Sequence, residues 1–249
     1  MKRGWTAFAL FCCLLAPVAA AGEEAPAQDW TIDRFHWQGV LAPASALRVR
    51  NPFGDVRLRA AEAGEVEISA IIQRRTADPV KAEVRVTRRR GRLEVEVAYP
   101  VAPQGDLARV DLALFVPAEV PIRAETRDGL IEGRGLANDV RLTSEGGNVA
   151  VATTGTVRAV SDRGNITAEL RRTPWARAPH LRTRQGDITL RLPADADARV
   201  RIRAPGEVLV ERPGRLERRT AHRSLFTLGR GTHALSLATR QGQVTLPAP

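Results

Sequence analysis

Ser144-Glu145-Gly146-Gly147-Asn148-Val149 and, 17 residues on, Ser161-Asp162-Arg163-Gly164-Asn165-Ile166 are the same sentence written twice. Four further stretches repeat it: Asn51-Pro52-Phe53-Gly54-Asp55-Val56, Thr126-Arg127-Asp128-Gly129-Leu130-Ile131, Thr183-Arg184-Gln185-Gly186-Asp187-Ile188 and Thr239-Arg240-Gln241-Gly242-Gln243-Val244. The shared pattern is a Ser, Thr or Asn three residues before a glycine and a Val or Ile two residues after it. The flanks agree. Val49, Ala124, Leu142, Ala159, Leu181 and Leu237 stand five residues before the glycines, and Leu58, Val151, Ala168, Leu190 and Leu246 stand four after, with a lapse at Gly133. Alternation of this kind sends every second side chain to one face, the period of a half-buried strand. Each unit therefore reads as strand, tight turn, strand. The glycine is expected to supply a positive φ, and the Ser, Thr or Asn to hydrogen-bond the turn backbone.

Spacing says how the units assemble. The glycines Gly129, Gly147 and Gly164 fall 18 and 17 residues apart, and a second corner is expected at Asn138-Asp139-Val140 and Gly155-Thr156-Val157. A short repeat with two corners suits a rung whose oily faces are covered by its neighbours. The predicted fold is all-β: a right-handed β-solenoid, or β-helix-like stack, of strand-turn-strand repeats with an irregular antiparallel N-terminal part. We place the repeat region at 118–249, continuous with an N-terminal β region at 30–117. Within the latter, Val84–Val86 and Leu93–Val97 flank the basic run Arg88–Arg92 as a hairpin. Gly206-Glu207-Val208-Leu209-Val210 reads as a degenerate further rung. Thr173–Pro179 reads as a loop bulging from the stack.

Residues 1–21 read as a secretory signal. Lys2 and Arg3 precede an apolar run from Trp5 to Val18, and Ala19-Ala20-Ala21 offers small residues for the peptidase. That run is shorter than the roughly 20 residues that span a bilayer, so no transmembrane segment is expected after cleavage. Residues 22–29 read as a disordered mature N-terminus. Both cysteines, Cys12 and Cys13, lie in the leader, which excludes a disulfide framework and a thiolate metal site from the mature chain. Export to the periplasm or cell surface follows, and it argues against a nucleic-acid partner.

The chain carries 38 Lys and Arg against 28 Asp and Glu, a formal net charge of +10. Apart from Lys2 and Lys81 these cations are arginines, dispersed along the sequence, and we read the excess first as compositional. Such a charge suits an anionic polysaccharide of the envelope or a protein partner. No pair of the four histidines, His36, His180, His222 and His233, has metal-ligand spacing, and there is no nucleophile elbow or phosphate loop. No catalytic residue, metal or cofactor is expected. Asp128, Glu145, Asp162 and Asp187 sit near repeated turns, where stacking could gather them as in a polysaccharide-cleaving β-helix. Their offsets differ, however, and Arg127, Arg163 and Arg184 are placed to pair with them. We expect a salt-bridged ladder instead, with Asn148 and Asn165 as a stacked amide pair. Trp175 is the candidate ligand contact, whereas Trp30 and Trp37 are expected to pack as a cap. Asp195 and Asp197 offer only a weak cation motif.

Leu47–Val56, the run into Phe115-Val116-Pro117, the serial Thr-x-x-Gly turns and Gly186-Asp187-Ile188-Thr189-Leu190-Arg191-Leu192-Pro193 resemble the bacterial putative-adhesin β-strand-repeat family of exported proteins. The resemblance spans roughly Trp30 to Leu246. It implies a right-handed β-helix-like fold and an envelope location, and it supplies no catalytic residue. Three functions are therefore set out: an adhesin-like or scaffold module, a polysaccharide-active enzyme, and a ligand-sensing partner in envelope signalling.

Overall fold

In a computed structural model, residues 30–42, 45–62, 64–75, 81–100 and 108–249 are described. The leader, both cysteines and residues 22–29 lie outside them. Among the described residues there is no helix. The strands form two mixed sheets of ten and eleven strands, neither closed into a barrel.

Corner glycines organise both sheets. Each repeat places the strand before its glycine in the eleven-stranded sheet and the strand after it in the ten-stranded sheet. Val140–Ser144 and Val149–Thr153 flank Gly147, and Val157–Arg163 and Ile166–Leu170 flank Gly164. These two rungs pair in parallel and in register in both sheets, Val140 on Val157 and Val149 on Ile166. The rungs of Gly129 (Ile122–Asp128, Ile131–Leu136) and Gly186 (His180–Gln185, Ile188–Arg191) continue the stack on either side. Inward side chains form columns: Leu142, Ala159 and Leu181 in one sheet and Val149, Ile166 and Ile188 in the other are all buried. Each large member contributes about 1.5–3 kcal/mol of burial. The lapse at Gly133 is filled by Leu136, whose Cδ1 lies 2.9 Å from where a Cβ on Gly133 would sit.

Chain order and stacking order part company at both ends. The Gly242 rung (His233–Gln241, Val244–Leu246) pairs directly with the Gly186 rung. The Gly206 rung (Ala198–Arg203, Val208–Val210) is present, but it lies outside Gly242 although it precedes it in sequence. An antiparallel hairpin, Arg215–Thr220 with Arg223–Leu228, then continues the larger sheet. At the other end the Gly54 rung (Ala46–Phe53, Val56–Ala61) lies against the Gly129 rung. Its far side is covered by Arg92–Ala98 and Ala108–Pro117, again in parallel. That corrects the expectation of an irregular antiparallel N-terminal part: these two strands add to the parallel stack, and they set Val110 and not a glycine against Gly54, so the motif does not reveal them. Among the described residues of this N-terminal part, antiparallel pairing is confined to Trp30–Val40 on Glu65–Arg75, Glu65–Arg75 on Ala108–Pro117, and the expected hairpin Glu83–Arg89 with Arg92–Ala98.

The second corner also stacks. A Cβ on Gly155 would fall 2.2 Å from the Asn138 carbonyl oxygen, and Val140 N–H donates to Thr156 O at 2.8 Å.

Candidate functional site

The corner glycines form one continuous column. A Cβ on Gly54 would meet the Val110 carbonyl oxygen at 2.1 Å, on Gly129 that of Gly54 at 2.0 Å, and on Gly147 that of Gly129 at 1.8 Å. The series runs on with Gly164 on Gly147 at 2.4 Å, Gly186 on Gly164 at 2.4 Å and Gly242 on Gly186 at 2.1 Å. Close approach of backbone to backbone therefore demands glycine throughout. The expected positive φ holds at Gly54, Gly129, Gly164, Gly186 and Gly242 but not at Gly147, where proximity alone excludes a side chain.

Beside this column runs a buried line of hydroxyls. Ser161 Oγ donates to Gly147 O at 2.9 Å, Thr183 Oγ1 to Gly164 O at 2.9 Å and Thr239 Oγ1 to Gly186 O at 2.9 Å, while Asn51 Nδ2 donates to Val110 O at 2.7 Å. The motif's polar residue thus serves the neighbouring rung more than its own turn, as a buried hydroxyl requires a partner. Outside the glycines a second line carries side-chain acceptors. Asn148 Oδ1 accepts from Asn165 N–H, Asn165 Oδ1 from Asp187 N–H and Asp187 Oδ1 from Gln243 N–H, each at 2.8 Å. The expected amide pair is in this way part of a ladder to the backbone, not a contact of amide with amide.

The four turn acids do not gather into a catalytic cluster. Arg184 pairs with Asp162 at 2.6 Å and Arg127 with Glu145 at 3.6 Å, and Asp187 is engaged in the backbone ladder. Arg163 and Asp128 form no ion pair among the described residues. Asp197 accepts from Thr232 N–H and Oγ1, and these bonds hold its carboxyl below the usual range; it closes a loop. Among the described residues no group of three or more His, Cys, Asp or Glu could hold a metal, and no helix is long and apolar enough to cross a membrane.

Trp175 is half-buried against the core, its ring edge-on to His233 at 6.3 Å. Trp37 packs against the core as expected, with Arg88 over its ring at 5.7 Å. Trp30 does not: it is 42% exposed. The aromatic pair that sequence reasoning missed is Phe53 and Tyr99, edge-to-face at 5.4 Å, lining an open cleft of about 510 Å³ with Arg50, Arg127, Glu125 and Glu145. Burial, reinforced by Asp111, pushes the Tyr99 hydroxyl well above its ordinary pKa.

The arginines are the larger omission. Dispersed in sequence, they align in space. Arg48 lies opposite Arg123, Arg123 opposite Arg141, Arg141 opposite Arg158, and Arg158 opposite His180. All five stand six residues before a corner glycine, which is the signal that numbering by repeat would have exposed. Neighbouring strands are about 4.8 Å apart, so this is a continuous row of four arginines, ended by His180, on the outward face of the larger sheet. Glu125 serves its first two members, at 3.6 Å from Arg48 and 2.5 Å from Arg123. Burial raises that carboxyl, but the Arg123, Arg48 and Arg50 guanidiniums outweigh it and leave the pKa below the ordinary value. Arg141 and Arg158 are exposed and make no ion pair among the described residues. His180 Nδ1 lies 2.6 Å from Ser236 Oγ, and burial together with Arg158 and Arg182 lowers its pKa. In the ten-stranded sheet the equivalent outward row is Arg57, Glu132, Ala150, Thr167, Thr189 and Thr245, with one cation, which pairs with Asp55 at 2.9 Å.

No protein-family model matches the chain, and no curated protein does. Among solved structures it is similar to a "putative cell adhesion protein" from Clostridium sporogenes ATCC 15579, at 12% identity and a TM-score of 0.46, covering 87% of this chain and all of that one. It is also similar to a "putative adhesin" from Bacteroides fragilis NCTC 9343, at 9% identity and a TM-score of 0.33, covering 90% and 99%. Likeness this distant carries no functional weight.

Proposed function

We propose that the chain is an exported, non-enzymatic module of the bacterial cell envelope, an adhesin-like or scaffold protein built as a right-handed β-solenoid. Its work is to hold a flat charged face rigid and present it to a partner. The observation that carries this reading is the row Arg48–Arg123–Arg141–Arg158 on the larger sheet. A stack clamped by backbone-to-backbone corners offers little pliancy for closing around a substrate and much for displaying a fixed array. The engaged turn acids, Asp162 and Glu145, favour binding over glycan cleavage.

Co-sedimentation of the purified protein with isolated cell envelopes across a salt series tests the reading. Retention should fall as salt rises and should drop further for the Arg141→Ala/Arg158→Ala double variant. Incubation with uronate glycans should release no reducing ends. Salt-independent retention that ignores these arginines, or steady release of cleaved glycan, refutes it.

A further inference from the structure

We infer that the arginine row is a binding site for a linear anionic glycan, one carrying a carboxylate or sulfate at regular intervals, with Arg141 and Arg158 as its principal contacts. The inference rests on the reading of the chain as a binding module and adds the class of ligand. Guanidinium forks suit oxyanions because two parallel N–H groups meet two oxygens at once. Here four guanidiniums recur at strand spacing, about 4.8 Å, on successive strands; Arg48 and Arg123 share Glu125, and Arg141 and Arg158 are the open forks. An extended polymer whose charges also recur in a line can engage several of them together, whereas a compact anion can use only one or two.

The surroundings point the same way. Two shallow grooves of about 400 and 220 Å³ run along the row and share Asp139, Arg141 and Arg177. Arg92 flanks the first groove and Arg158 with His180 the second. Among the described residues Asp139 is the lone carboxylate lining either groove, and Arg177 neutralises it at 3.2 Å. A chain lying along both grooves would cross the whole row.

A membrane surface fits less well. The large exposed apolar side chains Trp30, Ile32, Val40, Ile71, Phe115 and Leu209 lie on the other sheet, and Leu216 lies on the outermost strand of this one. Among the described residues no large exposed apolar side chain lies beside the row to enter a bilayer, which interfacial binding asks for. Nucleic acid fits less well too. Duplex recognition places a helix or ribbon in a groove, and single strands are held by stacked aromatic rings. Next to Arg141 and Arg158 stand Thr143, Val160 and Arg182, and His180, bonded to Ser236, is a single ring and not a stacked series.

The test is fluorescence polarisation with labelled oligogalacturonates of increasing length, beside a sulfated dextran, neutral dextran, phosphatidylglycerol vesicles and a single-stranded oligonucleotide. Affinity for one of the two charged glycans should rise with length until the row is spanned. Its logarithm should fall with the logarithm of salt at a slope of roughly 2–3, the net charge that four arginines and Glu125 leave to be matched. The Arg141→Ala/Arg158→Ala variant should bind at least tenfold more weakly. Arg191→Ala, an exposed arginine on the opposite sheet, should bind as the wild type does. Tighter binding to vesicles or oligonucleotide than to either charged glycan overturns the inference, as does a double variant that binds normally. Should neither glycan bind while envelope retention still depends on Arg141 and Arg158, the glycan falls and the binding module stands. Loss of both dependences removes both.

Discussion

Gly147→Ala tests the physical basis of the stack most directly. The added methyl carbon would sit 1.8 Å from Gly129 O, 2.5 Å from Gly129 C and 3.1 Å from Gly129 N. Carbon and carbonyl oxygen touch comfortably at about 3.3–3.6 Å, so the corner must open by more than an ångström. No side chain can yield, because each clashing atom is backbone. Opening strains the bonds that join these rungs: Gly146 N–H to Arg127 O at 2.7 Å, Ile131 N–H to Asn148 O at 3.0 Å and Glu145 N–H to Thr126 O at 3.2 Å. Three bonds at about 1 kcal/mol each, with some loss of core contact, put the cost at roughly 3–5 kcal/mol. Gly91→Ala is the matched control. Gly91 has φ +72° but open space around it, so only left-handed strain of about 1–2 kcal/mol applies. Gly147 lacks that strain altogether. Urea unfolding of both variants, followed by far-ultraviolet circular dichroism, separates the two causes. Equal losses, or a larger loss for Gly91→Ala, would mean that proximity of rungs is not what demands glycine.

Three other outcomes follow from the same geometry. Ser161→Ala removes a buried donor to Gly147 O and should cost about 1–2 kcal/mol in urea titration. Asn165→Ala, whose exposed partner Asp187 N–H can turn to water, should cost about 0.5 kcal/mol, and the reverse ranking would reject the division into buried and exposed lines. Arg212 is buried and caps Leu192 O and Pro193 O at 3.1 and 2.7 Å, so Arg212→Met should lose about 1–3 kcal/mol in the same titration. His180, held neutral by burial and by Arg158 and Arg182, protonates at lower pH folded than unfolded. Acidification from pH 7.5 to 5.5 therefore favours the unfolded chain, and His180→Asn should flatten that part of the stability profile.

What could be seen in the sequence depended on whether a feature repeats locally. The corner, the alternating strands and the hairpin around Gly91 are local, and they are where the residues say. The acceptors of Ser161 and Thr183 lie one rung away, so the motif announced a polar need without its partner. Val110 stands where the column would otherwise have a glycine, and the rung built from Arg92–Ala98 and Ala108–Pro117 was missed for that reason. With it went the Phe53–Tyr99 cleft. The exchanged order of Gly206 and Gly242 is not a property of either motif. Each rung presents the same two faces, so only the intervening Arg215–Leu228 hairpin and the loops decide which neighbour it meets. The arginine row was legible but unread, because arginines were judged along the chain rather than by distance from a glycine.

The two outward faces offer one more step. Packing dictates the inward columns of both sheets, but it leaves the outward positions free. One sheet fills its row with Arg57, Glu132, Ala150, Thr167, Thr189 and Thr245, a single cation beside a carboxylate, and the other stacks Arg48, Arg123, Arg141 and Arg158. Like charges on adjacent strands oppose folding by about 0.2–1 kcal/mol a pair, so the cationic row is retained at a cost that the fold does not require. Arg141→Glu exposes that cost. It sets a carboxylate between Arg123 and Arg158 and should stabilise the protein by about 0.5–1 kcal/mol at low salt. The gain should largely vanish near 1 M salt, where screening acts within about 3 Å. Arg141→Gln, which removes one charge without adding another, should fall between wild type and Arg141→Glu. Glycan binding should move the opposite way and be weakest for Arg141→Glu. A more stable protein that binds less is what a functional charge array entails. If Arg141→Glu instead lowers stability at low salt, the arginine is a structural residue and the row is no array at all.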